Sequence, residues 1–255
     1  MNYYLTLSLI LFAYMSLWFV ISCLKKRNDV AYVAWGLGFV LMAWLSFFLS
    51  STSDTRGLLV GILVSIWGLR LAWHIHNRHK GRPEDYRYLA WRTEWGKWFY
   101  LRSYLQVYIL QGMFLFMIIL PVLLMNNNTG ASLGWLDITG VIAWLFGFYF
   151  EAVGDAQLAR FVKDPAHKGK LMQSGLWAYT RHPNYFGEVV QWWGVWLITL
   201  SSMIGWFSII GPLTITFLIL KVSGITMLEK KMEKNPEFIE YKRKVSIFFP
   251  LPPKD

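Results

Sequence analysis

The chain alternates long uncharged runs with short basic segments. Tyr3 to Leu24, Val30 to Ser50 and Tyr104 to Met125 contain no charged residue. Each is longer than the roughly 18 residues that mark a candidate membrane-spanning helix. Gly57 to His76 is apolar apart from Arg70 and its histidines, and Asp137 to Glu151 is apolar and aromatic-rich. The last run, Val189 to Leu220, has 32 residues without a charge. At about 1.5 Å per residue it would measure about 48 Å as one helix, against about 30 Å of hydrocarbon. A hairpin resolves the excess, turning near Ser201, Ser202 and Gly205, with its first arm extended back to Pro183. The pattern predicts a single all-α integral membrane domain of about seven transmembrane helices. They fall near residues 3–24, 30–50, 57–76, 104–125, 135–152, 183–200 and 206–222, with a tail over 223–255. Asn126 to Gly134 reads as a short polar outer loop.

Charge then orients these helices. Of the 25 Lys and Arg residues, 23 fall on alternate loops: after the first, third, fifth and seventh helices. Arg56 and Arg70 are the exceptions. Under the positive-inside rule this sets the N-terminus outside and the C-terminal tail in the cytoplasm. Both flanks of the 32-residue run are basic, which requires an even number of crossings between them. The net charge of +10 therefore reads as topology and attraction to anionic lipid, and nucleic acid is not an expected partner. Charged residues make up only 16% of the chain and hydrophobic ones 55%, a balance that suits lipid as the solvent. The one cysteine, Cys23, rules out an internal disulfide. Met1 to Tyr4 lacks a basic leader, so the first apolar run is expected to remain as a helix.

Polar groups inside or at the edge of the spans are where chemistry is expected, because membrane burial penalises them otherwise. Arg70, His74 and Asn77 share one face of the third helix. His74, His76 and His79 lack metal-ligand spacing, and no metal is expected. Glu151 and Asp155, four residues apart, share a face at the end of the fifth helix and call for a hydrogen-bond donor or cation between them. The richest segment runs from Gly175 to Glu188. Pro183 suits the first turn of a helix. The free N–H groups of such a start favour an anion. Arg181 and His182 stand just ahead of it, while Asn184, Tyr185 and Glu188 can line one wall of a pocket. No Gly-x-Gly-x-x-Gly after a strand and no phosphate loop occurs, so any nucleotide is held between helices and loops.

Glu151, Asp155, Gln157, Leu158, Arg160 and Phe161, then Gly175-Leu-Trp, then Arg181-His-Pro-Asn-Tyr-Phe-Gly-Glu188, resemble the steroid 5-alpha-reductase family, and more closely its bacterial branch. Further matching pieces are Asp29 with Trp35-Gly36, Trp67-Gly-Leu-Arg70, Arg82 with Glu84-Asp85-Tyr-Arg87-Tyr, and the tail from Leu228-Glu229 through Tyr241 to Phe249-Pro250. The resemblance implies seven helices and NADPH bound on the cytoplasmic side. It also implies hydride transfer to the β-carbon of a lipophilic enone. By position it assigns cofactor binding to Asp155, Arg181, Asn184, Tyr185 and Glu188, with Arg82 and either Arg160 or Lys163 as candidates for the phosphates. The family's ketone-holding Gln-Glu dipeptide is absent; Asp29 stands in for the acid and Trp67 for the tyrosine. His167 replaces an expected asparagine.

A second reading is an S-adenosylmethionine-dependent membrane methyltransferase of the isoprenylcysteine or phospholipid type. Those enzymes share the Arg-His-Pro-x-Tyr-x-Gly segment and a Glu-rich tail. Helix number, Asp155-x-Gln157-Leu158 and the Asn184/Glu188 pair favour the reductase. A third is a lipid-binding or assembly protein that keeps the pocket without the acid. The short, insertion-free chain suggests a bacterial inner membrane.

Overall fold

The computed structural model describes residues 2–50, 52, 54–128, 132–200 and 203–254. Ser201 and Ser202, where the hairpin turn was expected, lie outside them, as do three residues of the outer loop. Among the described residues all regular structure is helical, apart from one isolated parallel bridge between Thr180 and Ser246. The main helices are α1 (Tyr3–Lys25), α2 (Val30–Leu49), α3 (Thr55–His79), α4 (Tyr86–Trp95), α5 (Phe99–Ser103), α6 (Leu110–Asn126) and α7 (Trp135–Lys163). There follow α8 (Pro183–Thr199), α9 (Ile210–Phe217), α10 (Ile225–Met232) and α11 (Pro236–Lys244).

Among the described residues six helical stretches are long and apolar enough to cross a membrane: Tyr3–Lys25, Val30–Leu49, Thr55–His79, Tyr86–Asn126, Trp135–Lys163 and Gly205–Met232. The span expected over 183–200 is helical as α8 but has 17 residues, about 25 Å at 1.5 Å per residue. The expected 206–222 helix is composite: a 3₁₀ segment (Met203–Ile209), α9, then a π-helical turn (Leu218–Val222). A second π segment, Tyr104–Ile109, leads into α6. The fifth helix, expected to end near 152, continues to Lys163. It carries Glu151, Asp155, Arg160 and Lys163 on one rigid element.

The chain divides into two compact units: Met1–Leu133 with Thr199–Ile210, and Gly134–Ile198 with Gly211–Asp255. In the first, α2 and α3 touch backbone to backbone: a Cβ on Gly36 would stand 2.6 Å from the Gly68 carbonyl oxygen, and one on Gly68 equally close to that of Gly36. In the second, antiparallel α7 and α8 do the same. A Cβ on Gly187 would stand 2.4 Å from the Gly147 carbonyl oxygen. Gly140 faces Gly194, and Gly154 faces Pro183, so the contact repeats every seven residues along α7. Helices packed this closely gain dispersion contacts where lipid offers no hydrophobic drive. They also bring the polar positions of the two helices within hydrogen-bond reach. The tail is folded: Phe238, Tyr241 and Val245 form a small core with Leu171 and Met232.

Candidate functional site

In the second unit, α7 and α8 carry two stacked carboxylate–carboxamide pairs. Asn184 Nδ2 donates to Asp155 Oδ1 at 3.0 Å, at the mouth of the helix pair. Deeper along it, Gln191 Nε2 donates to Glu151 Oε2 at 2.5 Å and to the Gly187 carbonyl at 3.3 Å. Glu151 and Gln191 are buried, at 2% and 1% exposure. In both pairs the amide nitrogen serves the carboxylate, while Asn184 Oδ1 and Gln191 Oε1 are buried with no hydrogen-bond partner. A buried acceptor left this way is destabilising by about 1–3 kcal/mol. It calls for a donor from a ligand or an ordered water. Gln191 is not among the residues that the sequence points to, because it lies within a long uncharged run. Its signal was positional: seven residues after Asn184 and three after Glu188, it falls on their helix face.

The segment ahead of α8 is held by the tail. Trp177 Nε1 donates to the Gly154 carbonyl at 3.1 Å and the Leu176 N–H to Gln157 Oε1 at 3.0 Å, which seats the Gly175–Ala178 turn on α7. Tyr241 donates its hydroxyl to the Trp177 carbonyl. Arg181 Nε and Nη2 bind the two oxygens of Glu229 at 2.8 and 3.2 Å. Its Nη1 donates to the carbonyls of Lys242 (3.2 Å) and Val245 (2.5 Å). His182 Nε2 lies 3.1 Å from Glu229 Oε1, and its ring stacks on Tyr185 at 5.7 Å. The expected anion-binding arginine thus spends four hydrogen bonds on the chain itself, and Glu229 occupies the place of the anion. In the sequence Glu229 stands out only as part of the matching tail, not as a partner of Arg181; its further signal is a carboxylate in a Lys-rich stretch. Glu188 is half-buried one turn beyond Asn184, and Arg160 and Lys163 are exposed at the end of α7.

Asp29, Trp67 and Arg82 belong to the first unit. Asp29, the expected acid, is engaged by its neighbours: Arg27 donates to both its oxygens at 3.0 and 2.8 Å, and the Asp85 N–H lies 3.3 Å from Oδ2. Trp67 is buried edge-on against Phe39, 5.2 Å between ring centres. Arg82 is exposed, and its carbonyl accepts from Arg27 at 2.9 Å. Around Asp29 runs a network the sequence reading missed. Arg92 grips Glu84 at 2.8 and 3.1 Å, and Glu84 accepts from the Asn28 N–H. Asn28 Nδ2 donates to Ser103, and Arg87 binds both Asp85 and the Tyr32 hydroxyl. This ties the α1–α2 turn to the α3–α4 connection. Burial pushes the Asp85 carboxyl up, but the hydrogen bonds and charge of Arg87 outweigh it and hold it below the usual range.

The model of one protein family, described as a protein of unknown function (DUF1295), matches residues 18–245. The chain belongs to the DUF1295 family. It is also similar to an uncharacterised protein of Schizosaccharomyces pombe, 26% identical over 228 residues, which covers 78% of this chain and 64% of that protein. A shorter stretch is 38% identical over 77 residues to the 3-oxo-5-alpha-steroid 4-dehydrogenase 1 of Bos taurus, covering 28% of this chain and 29% of that one. The steroid 5-alpha-reductase DET2 of Arabidopsis thaliana is 30% identical over 74 residues, 29% of this chain and 28% of the relative. The DUF1295 chain therefore spans less than two thirds of the length of these curated relatives. No solved structure matches it.

Proposed function

We propose that the protein is an NADPH-dependent membrane reductase that delivers hydride to the β-carbon of a lipophilic enone, working from the face of the membrane that carries the basic loops. The observation that carries this reading is the pair of carboxylate–carboxamide ladders on α7 and α8, each with an amide oxygen lacking a donor. A dinucleotide is rich in donors: ribose hydroxyls, an adenine amino group and a nicotinamide carboxamide. Asp155 and Asn184 would take such donors at the mouth, and Glu151 with Gln191 deeper along the helix pair. Arg160 and Lys163, both exposed at the end of α7, would meet the phosphates. The residues therefore fit the group. Bound NADPH would supply the hydride. The chain's own part is to fix the carrier with paired acceptors and to keep water out through the close α7–α8 contact. The partial likeness to steroid reductases supports the same reading.

The test is a thermal-shift titration of the detergent-purified protein with NADPH, NADH and S-adenosylmethionine in parallel. A ligand specific for the folded state adds about 2.7 kcal/mol at a hundredfold excess over its dissociation constant. NADPH should stabilise the parent and do so less for Asn184→Ala. Stabilisation by S-adenosylmethionine alone would overturn the reading in favour of methyl transfer.

A further inference from the structure

The last ten described residues pack against the segment just ahead of α8 and turn back on themselves, with the Lys254 N–H donating to the Lys244 carbonyl at 2.9 Å. Arg181 N–H donates to the Ser246 carbonyl at 2.9 Å, Thr180 Oγ1 to that of Phe248 at 2.9 Å, and Leu251 N–H to that of Tyr179 at 3.0 Å. The strip has two sides. Val245 and Phe248 are each 7% exposed, whereas Ile247, Phe249 and Leu251 are 46%, 64% and 55% exposed. An apolar edge this regular on a tail asks for a partner.

Aromatic contacts tie this edge to the apolar helices α8 and α7. The Phe249 ring lies 6.2 Å from that of Phe186, in the first turn of α8. Phe186 lies 5.2 Å from Phe150 and 6.2 Å from Phe146, both within the apolar helix α7. The exposed apolar residues of that helix include Ile138, Ile142, Leu145, Phe146 and Tyr149. The backbone suits an apolar phase as well. Of residues 249–254, three are prolines without an N–H. Leu251 and Lys254 donate theirs to the carbonyls of Tyr179 and Lys244, which leaves few donors to strand outside water. Basic residues flank the edge: Arg243 and Lys254 are exposed, with no carboxylate partner among the described residues.

We propose that residues 243–254 are an interfacial membrane contact rather than a free tail. Ile247, Phe249 and Leu251 enter the boundary between headgroups and acyl chains of the leaflet facing the basic loops. Arg243 and Lys254 sit on anionic phospholipid headgroups. The Arg181–Glu229 clamp holds the strip in that plane.

The test uses the full chain with Cys23→Ser, carrying Phe249→Cys or, as an independent second site, Leu251→Cys. Each is labelled with an environment-sensitive fluorophore and reconstituted into vesicles of phosphatidylcholine and phosphatidylglycerol. Lys234→Cys, an exposed position between α10 and α11, is the reference. The edge labels should be quenched by shallow spin-labelled lipid and shielded from aqueous iodide, with Lys234→Cys showing the reverse. Iodide access equal to that of Lys234→Cys at both edge sites would overturn the proposal. So would shielding from iodide and lipid alike, since that means a protein partner such as a second copy. Lipid quenching should weaken when phosphatidylglycerol is left out; indifference to it would remove the role given to Arg243 and Lys254.

Discussion

Replacing Glu229 by alanine removes the centre of the clamp that joins the tail to α8. Arg181 and Glu229 are each only 5% exposed, so water cannot replace the lost carboxylate. The variant leaves a guanidinium with two carbonyl acceptors and a His182 ring with none of its Glu229 contact. Removing one partner of a buried ion pair is destabilising by about 3–5 kcal/mol, most of it from the charge left behind. Lys242 adds little, since it lies 3.9 Å from Glu229 and is 44% exposed. At about 2–4 °C per kcal/mol for a chain of this size, the thermal midpoint in detergent should fall by about 10 °C. Limited proteolysis should cut first within 236–254. The companion variant Arg181→Met with Glu229→Leu carries no stranded charge. It should therefore be more stable than the sum of its single changes by about 1–3 kcal/mol. A Glu229→Ala loss under about 1 kcal/mol, or strictly additive singles, would refute the clamp argument.

Gly187→Ala places a methyl 2.4 Å from the Gly147 carbonyl oxygen and 2.5 Å from the Glu151 nitrogen, both backbone atoms that cannot swing away. The midpoint of thermal unfolding should report a loss of about 1–3 kcal/mol; an unchanged midpoint would mean that α7 and α8 are not in backbone contact. In the first unit, the fold favours the ionised form of Asp85, whose carboxyl is held below its usual range. Its stabilisation is therefore present above the unfolded value of about 3.9 and is lost as pH falls through the lower folded value. The thermal midpoint should drop between about pH 5 and pH 3, and Asp85→Asn should flatten that part of the profile.

What the sequence disclosed follows from which forces are local. Uncharged runs identified the apolar helices because lipid burial acts on each segment by itself. The Lys and Arg bias is likewise additive along the chain. The end of α7 was set eleven residues short, at 152 instead of Lys163, because the search followed hydropathy. Beyond Glu151 the helix carries Asp155 and Arg160 yet persists through its contact with Pro183 and the seating of Trp177 and Gln157. Glu151 and Asp155 were rightly seen to need donors on their shared face. The donors themselves, Gln191 and Asn184, come from α8 about thirty or forty positions later. The surroundings of Asp29 are partly local and partly distant. Its guanidinium partner sits two residues away in sequence, but the arrangement also depends on Asp85 across the α3–α4 connection.

At the start of α8 the chain supplies an anion of its own. A proline-led helix start preceded by Arg and His is an anion site by its dipole, free N–H groups and charge. The anion is present, but the chain supplies it as Glu229, 48 residues beyond Arg181. Arg181 is therefore a poor probe of cofactor binding. Arg181→Ala should lower both the melting midpoint and NADPH affinity, because it strands Glu229 and frees the tail. Arg160 is exposed at the end of α7 and has no such duty. Arg160→Ala should leave the midpoint within about 0.5 kcal/mol, as for most surface changes, and lower only the NADPH-dependent shift. Equal loss of stability from both variants would refute this division between a cation that builds the site and one that serves it.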